Sequence, residues 1–457
     1  MADRLKAAVI GAGVNGLVAA AALARGGCEV TVIERGAAPG GMMALGLFAR
    51  GPHPAALKAL GLKPGVLGPA IPTVALCPSG RHVLVEGAEA RFADGSAHPG
   101  AERWRALSRR LDRFAAALAP LLTGAPPPMR LRAEGLPGLL RFALRLRLLG
   151  AREMRELLRI GLSNAADLAA DSLPGGPLAG LLAFDAVLGS RAGPMAPGTV
   201  VPLLLRRAPL RRMEGLAALL SASAETKGAR LRLGAGAARI LFEADRADGV
   251  LLDDGERVEA DLVLSSLGAT PTLALVGAAQ FDIEAQRRIR TIRAVGAAAR
   301  VDLDFAAPPR LPGLDPAHHG ARLVLAPSVQ AVERAYDPVK YGRLPALPVM
   351  EGRIDGARLS LTVQCVPHDA PRDRIVAATL AALETVAPGL GGEVRHAEAL
   401  SPADIEAMTG APGGHWHHGE IALDQFLTLR PANGMARHAM GPPGLSSAAP
   451  ARIRAGT

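Results

Sequence analysis

Between Val9 and Gly41 the chain reads VIGAGVNGLVAAAALARGGCEVTVIERGAAPGG, and Gly11, Gly13 and Gly16 stand in the spacing G-x-G-x-x-G. Glycines so spaced let a backbone turn present its N–H groups to a diphosphate. Gly11 permits the tight turn, Gly13 lets the main chain approach the phosphates, and Gly16 lets a following helix pack close to the preceding strand. The start of that helix adds unpaired N–H groups and a partial positive charge. Glu34 lies 18 residues past Gly16, where a carboxylate accepts hydrogen bonds from a ribose diol. Arg35 is of the type that holds a 2′-phosphate, but the carboxylate beside it repels one. Gly40 and Gly41 let backbone pass a ligand without Cβ atoms in the way. The candidate binding set is therefore Gly11, Ala12, Gly13, Asn15, Gly16, Glu34, Arg35, Gly40 and Gly41, for an adenine dinucleotide.

The elements that must position these residues can be read around them. An apolar run at Ala7 to Ile10 predicts a strand, the alanine-rich stretch from about Val14 to Arg25 a helix, and Val30 to Ile33 a second strand ending on Glu34. Residues 214–226 read as a helix. GARLRL, AARILFEA, DGVLLDD and ERVEADLVLSS then read as strands, with Asp253-Asp254-Gly255 as a turn. The run from Asp261 to Ser266 suits a return to the nucleotide-binding sheet, and residues 290–306 and 358–366 suit strands of a second sheet. The expected class is α/β: a discontinuous Rossmann-like dinucleotide domain (1–75, 210–290 and 400–457) carrying an inserted α+β substrate domain (76–209 and 291–399). No second G-x-G-x-x-G follows. Gly234-Ala235-Gly236 comes nearest, but Arg239 occupies the place of the third glycine, so no separate NAD(P)H domain is expected.

A chain of 457 residues with 49% apolar residues is long enough for two or three cores. The net charge of +10 rests on 47 arginines and five lysines, a bias that fits a GC-rich genome. No basic run is interleaved with aromatics, and nucleic acid is not an expected partner. Cys28, Cys77 and Cys365 are far apart and form no C-x-x-C, so neither a redox dithiol nor a metal site is indicated. The first strand begins within about six residues, leaving no room for a signal peptide, and a cytoplasmic location is expected. Residues 42–135 are rich in Pro and Gly, with one helical stretch near Glu102 to Leu122. Residues 136–163 are apolar with Arg at 141, 145, 147, 152, 155 and 159; Gly150 divides them into two helices. That pair can either face a core with solvated arginines, the reading favoured here, or dock peripherally on an anionic membrane.

The pattern G-x-G-x-x-G…E-R-x-x-x-x-G-G is similar to the FAD fingerprint of two-dinucleotide-fold flavoproteins. With Gly193–Thr199 (GPMAPGT), Glu333–Gly342 (ERAYDPVKYG) and Thr409–Pro431 (TGAPGGHWHHGEIALDQFLTLRP), it resembles the phytoene-desaturase-like FAD-dependent oxidoreductases, and within them the pyridine nucleotide-disulfide oxidoreductase domain-containing protein 2 group. The resemblance runs from about residue 5 to Leu445. It implies FAD, hydride transfer from an apolar or unknown small-molecule substrate to flavin N5, and His418, Gly419 and Glu420 in a motif near the cofactor or the domain junction. His418 and Glu420 are the candidates for catalysis, with structural hydrogen bonding in a turn as the alternative; Asp424, Gln425 and Arg430 are similar cases. His415-x-His417-His418-x-Glu420 matches no metal-site spacing. A flavin amine oxidase is a competing reading, but Tyr336 and Tyr341 are the only tyrosines and do not by themselves supply an aromatic cage. Substrate, electron acceptor and oligomeric state are not specified.

The tail departs from that resemblance. Pro443-Gly444-Leu445 is followed by SSAAPARIRAGT, with no strand pattern, where the family continues into a strand, a glycine-rich turn and a helix facing FAD. A GC-rich run encoding L-F-L-C-G-A-G-A-H-P-G-G-D yields Leu445 to Thr457 when one T is deleted. The expected origin is thus a frameshift, and the chain a weakened or silent remnant. Four or five apolar side chains at about 1.5–3 kcal/mol each are expected to be lost, and FAD binding to be weak or absent. Sequencing the gene checks this: downstream DNA read in the other frame should encode a helix.

Overall fold

The computed structural model describes residues 4–49, 57, 60–123, 136–212, 215–295, 298–425, 429–432, 435 and 441–447. Strand β1 (Lys6–Ile10), helix α1 (Val14–Arg25) and strand β2 (Glu29–Glu34) follow in the order read from the glycines. β3 (Phe48–Ala49) comes next. The Pro- and Gly-rich stretch then yields three short strands that the sequence reading did not place: β4 (Thr73–Ala75), β5 (Val83–Glu86) and β6 (Glu89–Phe92). Runs of three or four residues are too brief to display alternation. Seven helices and one short strand fill most of residues 101–226: α2 (Ala101–Thr123), α3 (Leu136–Leu148), α4 (Gly150–Leu162), α5 (Ala165–Ser172), α6 (Gly176–Val187), α7 (Val200–Leu205), β7 (Arg211–Arg212) and α8 (Leu216–Thr226).

Strands β8 (Arg230–Leu233), β9 (Ala237–Glu243), β10 (Arg246–Leu252), β11 (Arg257–Glu259) and β12 (Leu262–Ser265) precede α9 (Ala269–Val276) and α10 (Ile283–Arg290). The remaining named elements are β13 (Ala299–Phe305), β14 (Arg322–Leu325), α11 (Val329–Tyr336), β15 (Met350–Asp355), β16 (Arg358–Val363), α12 (Arg372–Glu384), β17 (Val394–Leu400), α13 (Pro402–Thr409) and β18 (Leu445–Ser447).

These strands form two main sheets. The first is parallel, in the order β18-β12-β1-β2-β8. Its side chains alternate between two cores: Ala7 and Val9 face α1 and α8, while Ala8 and Ile10 join Ile240, Val250 and Leu273 on the other side. A parallel sheet covered on both faces accounts for the uninterrupted apolar run of β1. The antiparallel meander β9-β10-β11 lies on that second face. The second sheet has eight strands, β17-β13-β16-β15-β14-β4-β5-β6. One side packs the helices around Phe114 and Phe184, and the other packs α12. β4 pairs with β5 in this sheet, so the domain boundary expected after residue 75 cuts a hairpin.

The tail also differs from expectation. Leu445–Ser447 forms a parallel strand beside β12, and the Val263 amide donates to the Gly444 carbonyl at 2.8 Å. Ladder hydrogen bonds depend on backbone, and the small side chain of Ser447 fits the buried side, so a strand forms without an apolar pattern. Residues 448–457, where the helix is expected to be missing, lie outside the described residues.

Helix α6 is fastened to the second sheet by a buried ion triad. Arg322 is wholly enclosed; its Nε donates to Glu351 Oε2 and its Nη2 to Asp185 Oδ1, each at 2.6 Å. Burial lowers the guanidinium pKa, but the two carboxylates outweigh it and hold the charge. Arg322→Met should therefore cost about 3–5 kcal/mol by urea unfolding, because it strands a buried carboxylate. Adding Glu351→Met should restore part of that loss.

Candidate functional site

At the carboxyl end of β1 the glycine turn is dictated by crowding. Gly11 adopts φ +94°, and a Cβ on Gly16 would overlap the Gly11 carbonyl oxygen and stand 3.0 Å from Ser266 Oγ. Ser266 Oγ donates to the carbonyls of Ile10 at 2.8 Å and Gly11 at 3.1 Å, tying β12 to the same turn. Gly13 begins α1 with no side-chain cap, and the first turn contains no acid. Space is open where a Gly13 Cβ would project. Uncapped N–H groups facing open space are what a diphosphate requires.

The second strand delivers its acid to this turn. Glu34 Oε2 accepts from the Ala12 amide at 2.7 Å, and Oε1 accepts from the Gly36 amide at 2.8 Å. A carboxylate offers about four lone-pair directions, so two remain for ligand hydroxyls. The Gly40 amide donates to the Ala12 carbonyl at 3.0 Å, and Gly41 lies against Gly13. Arg35 is exposed and packs beside Gly236 and Asp253. Asn15 is half-buried in the first turn of α1. All nine residues of the candidate set therefore lie on this turn or on the strand end and loop around it. Their geometry fits a dinucleotide: an open phosphate cradle with a carboxylate at its rim.

The described residues of the segment 409–431 touch Gly268 just past β12, Arg293 and loop 188–199, and the other two motifs meet near them. Loop 188–199, after α6, is the meeting point. The Met195 amide donates to Glu333 Oε2 at 3.0 Å, the Tyr336 hydroxyl donates to the Arg191 carbonyl at 2.9 Å, and His415 Nε2 lies 3.0 Å from the Gly189 carbonyl. Because a carbonyl only accepts, His415 carries its proton on Nε2; its Nδ1 accepts from the His417 amide at 3.2 Å. Both nitrogens are engaged within the protein, which leaves His415 none for a metal. His417 Nε2 faces Arg206 Nη2 at 3.4 Å and accepts from it. Burial lowers the pKa of all three histidines, to about 4 for His415 and His418 and well below 6.5 for His417; nearby Arg430 acts in the same direction on each, and Arg206 on His415 and His417.

His418 has φ +55° and rests beside Gly268, just past the end of β12. Its Nδ1 is shielded and has no hydrogen-bond partner among the described residues. Glu420 is buried: Oε2 meets Arg293 Nε at 3.3 Å, while Oε1 has no described partner. Burial raises its pKa, and Arg293 only partly offsets this. Arg293 also forms a bidentate pair with Asp424 at 2.8 Å on both nitrogens, and Gln425 Oε1 accepts from the Arg293 amide at 2.7 Å. Arg430 donates to the carbonyls of His417 and Glu420. Arg206, Gly268 and Arg293 complete this junction. Nothing in the sequence set these two arginines apart from the other 45. A small hollow adjoins it, lined by Met42, Leu45, Ala299, Thr362, Ile405 and Trp416 among others.

Two outcomes test these geometries. Gly16→Ala should destabilise the protein and abolish dinucleotide binding, measured by thermal melting and cofactor titration, since the helix must move off the turn. For His415, the folded pKa lies below the unfolded value, so its contribution is present above about pH 6.5 and is lost as pH falls toward about 4. The loss is about 3 kcal/mol at 1.36 kcal/mol per unit, with Glu420 opposing it. His417 and His418, lowered for the same reason, add to the loss, so His415→Gln should lessen, without removing, the fall of melting temperature with pH in that window.

Comparison with known proteins agrees with this geometry. Residues 9–53 match the NAD(P)-binding Rossmann-like domain. The chain is 28% identical to pyridine nucleotide-disulfide oxidoreductase domain-containing protein 2 of Mus musculus, over 93% of this chain and 86% of that one. It is 30% identical to hydroxyneurosporene desaturase of Cereibacter sphaeroides, over 60% of this chain and 57% of that one. The fold is shared with putrescine oxidase solved with putrescine, at TM-score 0.56 and 15% identity over 97% and 93% of the two chains. The chain is an α/β protein of Rossmann-like fold in an oxidoreductase enzyme family, and its homologues include the first two of these proteins.

Proposed function

We propose that this homologue of those oxidoreductases is an FAD-dependent dehydrogenase or desaturase that removes a hydride from an apolar small molecule. The observation that carries the reading is the Glu34 carboxylate held on the Ala12 amide, at the rim of an uncapped glycine turn. In this reading the first-turn amides of α1 hold the diphosphate, and a free oxygen lone pair of Glu34 takes a ribose hydroxyl. Gly40 and Gly41 let the chain close over both. FAD, when bound, supplies the hydride acceptor at N5. The chain's part is to place a C–H bond and exclude water.

His418 and Glu420 stand on the junction between the sheets. A histidine whose pKa is lowered to about 4 is neutral at pH 7, so His418 orients a ligand through Nδ1 rather than by charge. Glu420, with its pKa raised and one oxygen unpartnered, is the better proton-handling group. An amine oxidase is less well supported: Tyr341 is 76% exposed and the Tyr336 hydroxyl is engaged by Arg191, so the pair forms no cage.

Purified chain should give the two-banded absorbance of oxidised flavin after titration with FAD, and the released cofactor should co-migrate with FAD. Glu34→Gln should raise the dissociation constant about tenfold, the equivalent of about 1.4 kcal/mol. Anaerobically, a polyene should bleach the flavin and a primary amine should not. Retention of one FAD per chain on isolation would overturn the weakened site expected from the tail. Failure to bind at saturating FAD would overturn the proposal and leave a catalytically silent chain.

A further inference from the structure

We propose that the α3–α4 hairpin is a docking surface for an anionic lipid bilayer. Helix α3 carries two apolar faces. Leu139, Phe142 and Leu146 recur at three- and four-residue steps and are half-buried, and α3 lies along α2, with Arg145 Nη1 donating to the Ala116 carbonyl at 2.8 Å. On the opposite side Leu140, Leu144 and Leu148 recur every fourth residue, 61%, 59% and 76% exposed. No side chain described in α3 is fully buried. Helix α4 buries Leu157 and Ile160 but turns Leu158 and Leu162 outward, 62% and 73% exposed. These five are among only fourteen large apolar side chains exposed in the described residues. An outward apolar row with an inward one already in use is not explained by packing among the described residues.

The charges around the row choose the occupant. At about 3.6 residues per turn, Arg141 and Arg145 border the leucines on one side and Arg147 on the other. Residues 136–162 hold six Arg and two Glu, a net +4. Both acids are engaged within the protein: Glu153 with Arg110 and Arg113 of α2, and Glu156 with Arg159. A second copy would bring the same positive face against this one, whereas anionic headgroups complement it. Thirteen residues span about 20 Å, short of a bilayer core, and no described helix is long and apolar enough to cross a membrane. The hairpin therefore lies in the interface, leucines among acyl chains and arginines at the headgroups. This inference rests on the hairpin alone and stands apart from the flavin reading.

Co-sedimentation of the whole chain with vesicles tests it, using phosphatidylcholine alone and phosphatidylcholine mixed with phosphatidylglycerol. The chain should partition onto the mixed vesicles and hardly onto the neutral ones. Binding should fall as salt rises from about 0.1 M to 1 M, where screening shortens from about 10 Å to 3 Å. Leu140→Ser/Leu144→Ser/Leu148→Ser should lower partitioning at least tenfold, and Arg141→Gln/Arg147→Gln/Arg152→Gln on the order of a hundredfold, at about fivefold per arginine. Both variants alter exposed positions, and an unchanged melting temperature verifies their folding. Equal binding to neutral vesicles, no binding to either, or undiminished binding by the leucine variant overturns the proposal. So does a chain that never binds vesicles but is a dimer split by that variant in light scattering, which assigns the face to a second copy.

Discussion

Gly16 lies so close to Gly11 that no side chain fits between them, and that contact fixes the upper end of the parallel sheet. It sets the distance from α1 to β1, which decides where the first helical amides point. Ser266 reaches into the same turn from β12, and Glu34 from β2. Three strands are thus held in register by hydrogen bonds to one loop, each formed by a residue just past or at a strand's end. Ligand sites of open parallel sheets lie at this edge because turns there leave amides unpaired.

From that edge the organisation passes outward through Gly268 to His418, and through Arg293 to Glu420 and Asp424. The junction between the sheets is polar and largely enclosed, yet its histidines are neutral. His415 Nδ1 accepts from the His417 amide and His417 Nε2 accepts from a guanidinium, and neither nitrogen can take a proton without losing its donor. The cations of the region are arginines, which retain their charge when buried. Three segments far apart in the chain meet here because loop 188–199 touches both α11 and residues 415–417.

The abundance of arginine has different consequences in different places. Most pairs, such as Arg105 with Glu89 or Arg358 with Asp304, are exposed and contribute little. Arg322, sealed between Asp185 and Glu351, locks α6 onto the eight-stranded sheet. On the α3–α4 hairpin the arginines without described ion pairs, such as Arg141 and Arg147, flank exposed leucines.

Local spacing determined the opening strand–turn–helix–strand, the division of residues 136–163 at Gly150, the β9–β11 meander and the return of β12 to the first sheet. In each, the signal is a short-range backbone requirement: a glycine at positive φ, a period of apolar residues, or a turn dipeptide. Glu34 was legible for the same reason, since a strand end follows at a fixed distance from the turn. Tertiary structure alone decided that Leu445–Ser447 would pair with β12, because ladder hydrogen bonds require a neighbouring edge and not a side-chain pattern. It alone decided that Thr73–Phe92 would extend the second sheet, and that Arg206 and Arg293, two among many arginines, would meet the histidine loop. Contacts between residues hundreds of positions apart leave no periodicity in the chain; they exist only once the two sheets have packed.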